Sequence, residues 1–211
     1  MYPQQNGQPP IQPPQTQYPI DYLNQIAPQE KRPGLDNRKF FIFIGAGLLV
    51  AIIIGVLALF NGGTTPTQKM ETLSARLTTL QTISSKAQAN IKSSSLRSAN
   101  SSLTLLLTNT NHDIIDPFKT NGVNVQKLDK TIVKQEDGKA LSAKLEDARL
   151  NAVFDRTYAR EMSYQLDTVK ALMKDIYGKT KSKSLKSFLE TANNNLSPIN
   201  KQLQDFNAAN G

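Results

Sequence analysis

"LSAKLEDARLNAVFDRTYAREMSYQLDTVKALMKDI", residues 141–176, is the stretch whose reading decides how this chain folds. Its apolar side chains recur at Leu141, Leu145, Ala148, Ala152, Ala159, Met162, Leu166, Val169, Met173 and Ile176. An α-helix turns once in about 3.6 residues, so spacings of this kind collect on one helical face. The stretch therefore predicts a single helix of about ten turns with a narrow buried seam of coiled-coil type. Asp155 falls where the seam calls for an apolar residue. Either Phe154 fills that space while Asp155 rotates outward, or Asp155 is buried with a partner and sets the register of neighbouring helices. The first is the expectation here.

Similar seams lie on both sides. Thr65, Pro66 and Gln68 form the pattern of a helix N-cap, a first-turn proline and a capping-box partner. Met70, Leu73, Leu77, Leu80, Ala87 and Ile91 then follow at helical spacing, with Ser84 as a polar gap. "KSSSLRS" (92–98) reads as a break. A second helix carries Leu96, Ala99, Leu103 and Leu106 and stops before Pro117. "KTNGVN" (119–124) is a turn, "VQKLDKTIV" (125–133) a short helix, and "QEDGK" (135–139) an interruption. A last helix carries Leu185, Leu189, Ala192, Leu196, Ile199, Leu203 and Phe206, with Pro198 either kinking it or restarting it from a Ser197 cap. No segment alternates with period two for long enough to make a strand. The reading is all-α: residues 67–211 as an antiparallel four-helix bundle, joined through a linker at 61–66 to what precedes it.

What precedes it is "RKFFIFIGAGLLVAIIIGVLALFNGG" (38–63), in which residues 40–60 carry no polar side chain. A 21-residue helix rises about 32 Å and matches a hydrocarbon core of about 30 Å, and a soluble core helix of this length would show a polar stripe. Residues 40–60 are expected to span a membrane. Lys31, Arg32, Arg38 and Lys39 lie just before the span, and no charge follows it until Lys69. The positive-inside rule then puts residues 1–39 in the cytoplasm and the bundle outside. The long leader and full-length apolar run favour an uncleaved signal-anchor over a cleaved signal peptide, although "VLA" ending at Ala58 is a weak cleavage site. Gly47, Ala51 and Gly55 recur every four residues, a spacing that lets membrane helices approach closely and makes weak self-association a candidate property.

Residues 1–39 are rich in Pro and Gln, a composition that cannot bury enough apolar surface to offset chain entropy. A disordered cytoplasmic tail is expected. Within it, "YPIDYLNQIAP" (18–28) holds a short amphipathic motif over 19–27, in which Ile20, Tyr22, Leu23 and Ile26 are candidates for docking a cytoplasmic partner. "YPIDYLNQIAP", then "KRPG", a basic-flanked span and a Ser/Asn-rich helical outer region resemble the layout of uncharacterised single-pass envelope proteins of candidate-phylum bacteria of the Saccharibacteria type. The resemblance covers residues 18–60 best, implies a bacterial envelope location and implies no activity.

The chain carries a formal charge of +8 and no cysteine. The absence of cysteine excludes disulfides, thiolate catalysis and thiolate metal sites. Residues 1–39 hold four Lys/Arg against three Asp/Glu, which leaves +7 for residues 61–211. Lys179, Lys181, Lys183 and Lys186 concentrate part of this charge in "GKTKSKSLK" (178–186). As a solvated turn they suit a helix C-terminus; as a site they are candidate contacts for an anionic wall polymer or an acidic envelope protein. If the long third helix climbs about 55–60 Å away from the bilayer, this lysine tip lies at the point furthest from the membrane.

His112 has Asp113 and Asp116 nearby, but two ligands on one face make a poor metal site, and a histidine at a helix end is the simpler reading. Asn100-Ser101-Ser102 and Asn195-Leu196-Ser197 match the glycosylation sequon, which matters only in a eukaryotic secretory host. No Walker loop, G-x-S-x-G elbow, HExxH, S-x-x-K or EF-hand pattern occurs, and "GAG" lies inside the span. The expectation is a non-enzymatic protein without cofactor, metal or nucleic-acid partner. It would be a single-pass envelope component with an outer structural or interaction module and membrane lipid as one partner. The alternative is a ligand-sensing or solute-binding helical domain that signals through the span to a partner held by the tail.

Overall fold

The structure, a computed structural model, describes residues 65–210. Every regular element among them is an α-helix. In chain order these are α1 (Pro66–Ala87), α2 (Ser94–Asp113), α3 (Ile115–Thr120), α4 (Lys130–Gln135), α5 (Lys139–Leu150), α6 (Phe154–Lys179) and α7 (Lys183–Asn210). None of them is long and apolar enough to cross a membrane. The expected span at 40–60, with Gly47, Ala51 and Gly55, lies outside the described residues. So do the flanking cations Lys31, Arg32, Arg38 and Lys39, and the tail motif with Ile20, Tyr22, Leu23 and Ile26.

α1 begins as its sequence signature dictates. The Gln68 N–H donates to Thr65 Oγ1 at 3.2 Å, while the Thr65 N–H donates to Gln68 Oε1 at 2.9 Å, which completes a capping box around Pro66. Its seam residues Met70, Leu73, Leu77, Leu80 and Ala87 are all buried, as is Ile91 beyond its end. α2 starts inside the expected break, with Ser93 accepting from the Leu96 N–H. Leu107 occupies the core-facing position, and Leu106 is only partly buried against it. Over 125–133 the short helix forms only from Lys130, where Asp129 accepts from the Thr131 and Ile132 N–H groups. α7 runs unbroken through Pro198. Ser197 is not a cap; its hydroxyl donates to the Asn193 carbonyl at 2.7 Å.

The four long helices close a ring in which α1 packs on α2 and α6, and α7 packs on α2 and α6. Their seams meet in one core, where Leu73, Leu77, Leu103, Leu107, Met162, Leu166, Leu196 and Leu203 are wholly enclosed. Each helix shields a stripe that no single partner could cover, so burial favours four helices over two pairs.

The stretch 141–176 is not one helix. α5 ends at Leu150 and α6 starts at Phe154, with Ala152 at a left-handed φ of +57° between them. The Val153 N–H donates to the Ala148 carbonyl at 2.9 Å and the Ala152 N–H to the Arg149 carbonyl at 3.3 Å, the two bonds of a Schellman helix end. The same pair of bonds closes α3, where Val123 donates to Phe118 and Gly122 to Lys119, with Gly122 at φ +83°. Ala152 is accordingly exposed, Leu141 only partly buried, and the seam restarts at Phe154 and Tyr158.

This break reverses the chain. Asp155, at the start of α6, bonds the loop between α1 and α2, whereas Asp175 near its end bonds Lys69 in the first turns of α1. α6 therefore runs antiparallel to α1, and residues 114–153 form a long crossover that returns the chain from one end of the bundle to the other. The order of directions is up, down, down, up. α6 itself, with 26 residues, is about 39 Å long. The expected ten-turn helix, and the climb it implied, are thus corrected.

The polar groups between α1, α2 and α6 are matched, whereas the enclosed Asn200 on α7 donates Nδ2 to Asp167 at 2.6 Å and leaves its Oδ1 without a partner. Ser84, the gap in the α1 seam, shares a hydrogen bond of 2.8 Å with Thr104. Asn100 Nδ2 donates to the Ser84 carbonyl at 3.0 Å and to Gln88 Oε1, and its Oδ1 accepts from the Tyr158 hydroxyl. Asn100 is fully enclosed, so the first sequon is hidden once the bundle has folded.

Candidate functional site: the two ends of the bundle

At the end of the bundle that holds Thr65, α6 and α7 are joined by Thr180, Lys181 and Ser182. The turn is built by short polar side chains. The Ser182 N–H donates to Thr180 Oγ1 at 3.1 Å, and Ser182 Oγ accepts from the Leu185 N–H at the start of α7. Asn121, just past α3, donates to the same Ser182 oxygen at 3.2 Å. Phe118 packs edge-on against Phe188 with ring centroids 6.0 Å apart, which seats α3 on α7 beneath the turn.

The four lysines singled out in the sequence are brought together here, in different roles. Lys179 bonds Asp175 at 2.6 Å, and Asp175 also accepts from Lys69 at 2.8 Å. Burial pushes the Asp175 carboxyl up, but hydrogen bonds from Lys179 and Lys69 outweigh it and hold the group below the ordinary carboxylate range. Lys179 is held above its ordinary value by the same contact with Asp175. Lys186 lies over the Tyr177 ring, 5.2 Å from its centroid, while Lys181 and Lys183 are exposed. The lysine turn shares its end of the bundle with Thr65 and does not form the point furthest from it. The reversal at Ala152 is the cause: α6 descends toward the start of α1 where the sequence led us to expect a climb.

From this turn a groove of about 500 Å³ runs along α6 and α7. Lys170, Lys174 and Tyr177 line it on the α6 side, and Glu190, Asn193 and Asn194 on the α7 side. Its chemistry is that of a polar contact surface: ammonium groups, amides and the two carboxylates Asp167 and Glu190 around the apolar floor of Met173 and Leu189.

The opposite end carries a second feature. Asp155 is half-buried and accepts from the Lys92 N–H at 3.0 Å and the Ser93 N–H at 2.7 Å. Phe154 fills the seam position, as expected, and stacks on Tyr158 at 5.9 Å, whereas Asp155 does not swing clear of the bundle but finds partners in the α1–α2 loop. Beside them lies a cleft of about 390 Å³, lined by Arg149, Arg156, Phe154, Phe206 and Asn210 among others. Next to it along the chain, Leu150 is 69% and Val153 41% exposed, two of the large apolar side chains left in the open. Sequence reasoning missed this cleft because it exists only where α5 folds back on α6.

His112 falls in the last turn of α2, with Nδ1 3.1 Å from Asp113 Oδ1, and His112, Asp113 and Asp116 are all exposed. Among the described residues, no group of three or more His, Cys, Asp or Glu side chains is placed to hold a metal ion. No protein-family model matches the chain. No curated protein and no solved structure matches it either.

Proposed function

We propose that this chain is a single-pass, membrane-anchored cell-envelope protein whose helical outer domain is a structural and interaction module without catalysis. Residues 40–60 are the anchor, residues 1–39 the cytoplasmic tail and the bundle the extracytoplasmic part, in keeping with the resemblance of residues 18–60 to the layout of Saccharibacteria-type envelope proteins. The single observation that carries the interaction reading is the far end of the bundle. There Leu150 and Val153 stand exposed beside an arginine-lined cleft, at the end opposite Thr65. Apolar side chains rimmed by arginine are what a protein partner's surface fits best. The partner would be another envelope protein.

Protease added to intact cells tests the topology. Loss of residues 65–211 with residues 1–39 protected is the expected pattern, and protection of the bundle with loss of the tail overturns the reading. A second reading, a ligand-sensing domain that relays through the span to a partner on the tail, is favoured by the groove between α6 and α7. A rise in melting temperature with a small anionic or zwitterionic ligand would support it.

A further inference from the structure

We propose that the lysine-rich end of the bundle is a contact surface for the anionic headgroups of the bilayer that holds residues 40–60. This rests on the anchored reading above and adds a lipid class and an orientation to it.

The position of the surface follows from two contacts. Lys69 bonds Asp175 at 2.8 Å and Asn121 bonds Ser182 at 3.2 Å, so the α6–α7 turn stands at the end where Thr65 enters the bundle. Only residues 61–64 separate Thr65 from the last residue of the apolar run, Phe60. Even fully extended, that step reaches at most about 18 Å. The headgroup layer itself occupies about 5–8 Å on each side of the hydrocarbon. A domain held on so short a leash keeps its Thr65 end within reach of the headgroups.

The chemistry of the surface matches that neighbour. Between residues 170 and 186 there are six lysines and one carboxylate, Asp175, which is already engaged by Lys69 and Lys179. Lys174, Lys181 and Lys183 are exposed, and Lys119 adds another exposed cation just before Asn121. The opposing charges nearby are Asp113 and Asp116 at the junction of α2 and α3, Glu71 in the first turns of α1, and Asp167 and Glu190 in the groove beside Lys170 and Lys174. Tyr177 is 39% exposed with the Lys186 ammonium above its ring. An aromatic ring with a polar tip and long-stemmed lysines are the side chains that settle at a lipid–water boundary. Basic clusters next to a membrane segment are drawn to anionic leaflets over about one Debye length. A soluble wall polymer would meet the exposed sides and far end of the bundle at least as readily, so the placement favours lipid.

The chain has no cysteine, so single labels are clean. The full-length protein carrying a fluorophore at S184C, in the lysine turn, or at L150C, at the far end, is reconstituted into two kinds of vesicle. One is phosphatidylcholine alone and the other contains phosphatidylglycerol, and each carries a headgroup-attached quencher. Quenching at S184C should be about threefold stronger with phosphatidylglycerol. It should fall to the neutral level in 1 M salt, where the Debye length is about 3 Å, while L150C stays unquenched. The variant K174Q/K181Q/K183Q, which leaves the Asp175 contacts and the Tyr177–Lys186 pair in place, should abolish the difference. Equal quenching in both lipids, with the protein still floating with neutral vesicles at high salt, overturns the lipid contact and leaves the anchor standing. A response at S184C to soluble polyphosphate but not to phosphatidylglycerol overturns it in favour of a polymer. Failure to float with neutral vesicles at high salt removes the anchor, and this inference with it.

Discussion

Lys69, in the first turns of α1, and Asp175, near the end of α6, meet at 2.8 Å although 106 residues separate them. Lys69 is 5% exposed and Asp175 19%. The pair ties together the two helices whose relative direction differs from the one the sequence suggested, and Lys179 completes it from the surface.

Asp175→Asn should lower the unfolding free energy by about 2 kcal/mol in urea, because it withdraws charge-assisted bonds from an enclosed lysine. The Asp175 carboxyl sits below its ordinary value in the fold. Its contribution is therefore complete above about pH 4 and is lost as pH falls through the lowered native value. The gap between wild type and Asp175→Asn should be constant at neutral pH and narrow in stronger acid. A gap that widens on acidification would contradict the assignment.

Tyr158 and Asn100 hold the diagonal of the ring, from α6 to α2. Burial lifts the Tyr158 phenol far above its ordinary value, so the hydroxyl stays a donor to Asn100 throughout the folded range. Tyr158→Phe leaves an enclosed amide oxygen without its donor and should cost about 1–2 kcal/mol. Asn100→Ala should cost more, since its Nδ2 also holds the Ser84 carbonyl and Gln88. The double variant should cost less than the sum by at least about 0.5 kcal/mol. Strict additivity in chemical denaturation would show that the two side chains act separately.

Two backbone positions have opposite expected signs. Ala152 sits at φ +57°, where an L side chain is strained, so Ala152→Gly should stabilise by about 0.5 kcal/mol after the entropy of the freer unfolded chain is deducted. At Gly138, φ is +67° and an added Cβ would lie 2.5 Å from Thr79 Cγ2 and 3.0 Å from Ile83 Cδ1. Gly138→Ala should destabilise by about 2 kcal/mol, and by more than Gly122→Ala, where nothing lies within 4 Å of such a Cβ. Adding Thr79→Ser, which removes the methyl but keeps the hydroxyl that bonds the Glu136 carbonyl, should recover part of that loss. Melting temperatures of the four variants decide the order.

Most of the elements could be read from spacing and caps. The capping box at Thr65, the seams of α1, α6 from Ala159 onward and α7, the α2 seam as far as Leu103, and the turn at Gly122 each leave a local mark in residue type, because each is set by contacts within a few residues. At the next α2 position the core takes Leu107 and not Leu106. The capping role of Asp129 was visible only in hindsight, since Val125 and Leu128 mimic a helix that begins one turn earlier. The candidate sites were half legible. The lysines of residues 179–186 announce themselves by composition, whereas the cleft beside Asp155 has no local signature. It is assembled from the α1–α2 loop, the α5–α6 corner and the end of α7.

The sequence alone determined that residues 65–210 fold as helices and most of the stripe that each long helix buries, because period and capping are local properties of the chain. Only the tertiary structure decided which way α6 runs, and with it the end of the bundle that bears the lysines. The deciding residue is Ala152, and an alanine in a left-handed turn looks in the sequence like any alanine in a helix. What holds the turn from a distance is Asp155, which gathers the Lys92 and Ser93 amides from more than sixty residues away.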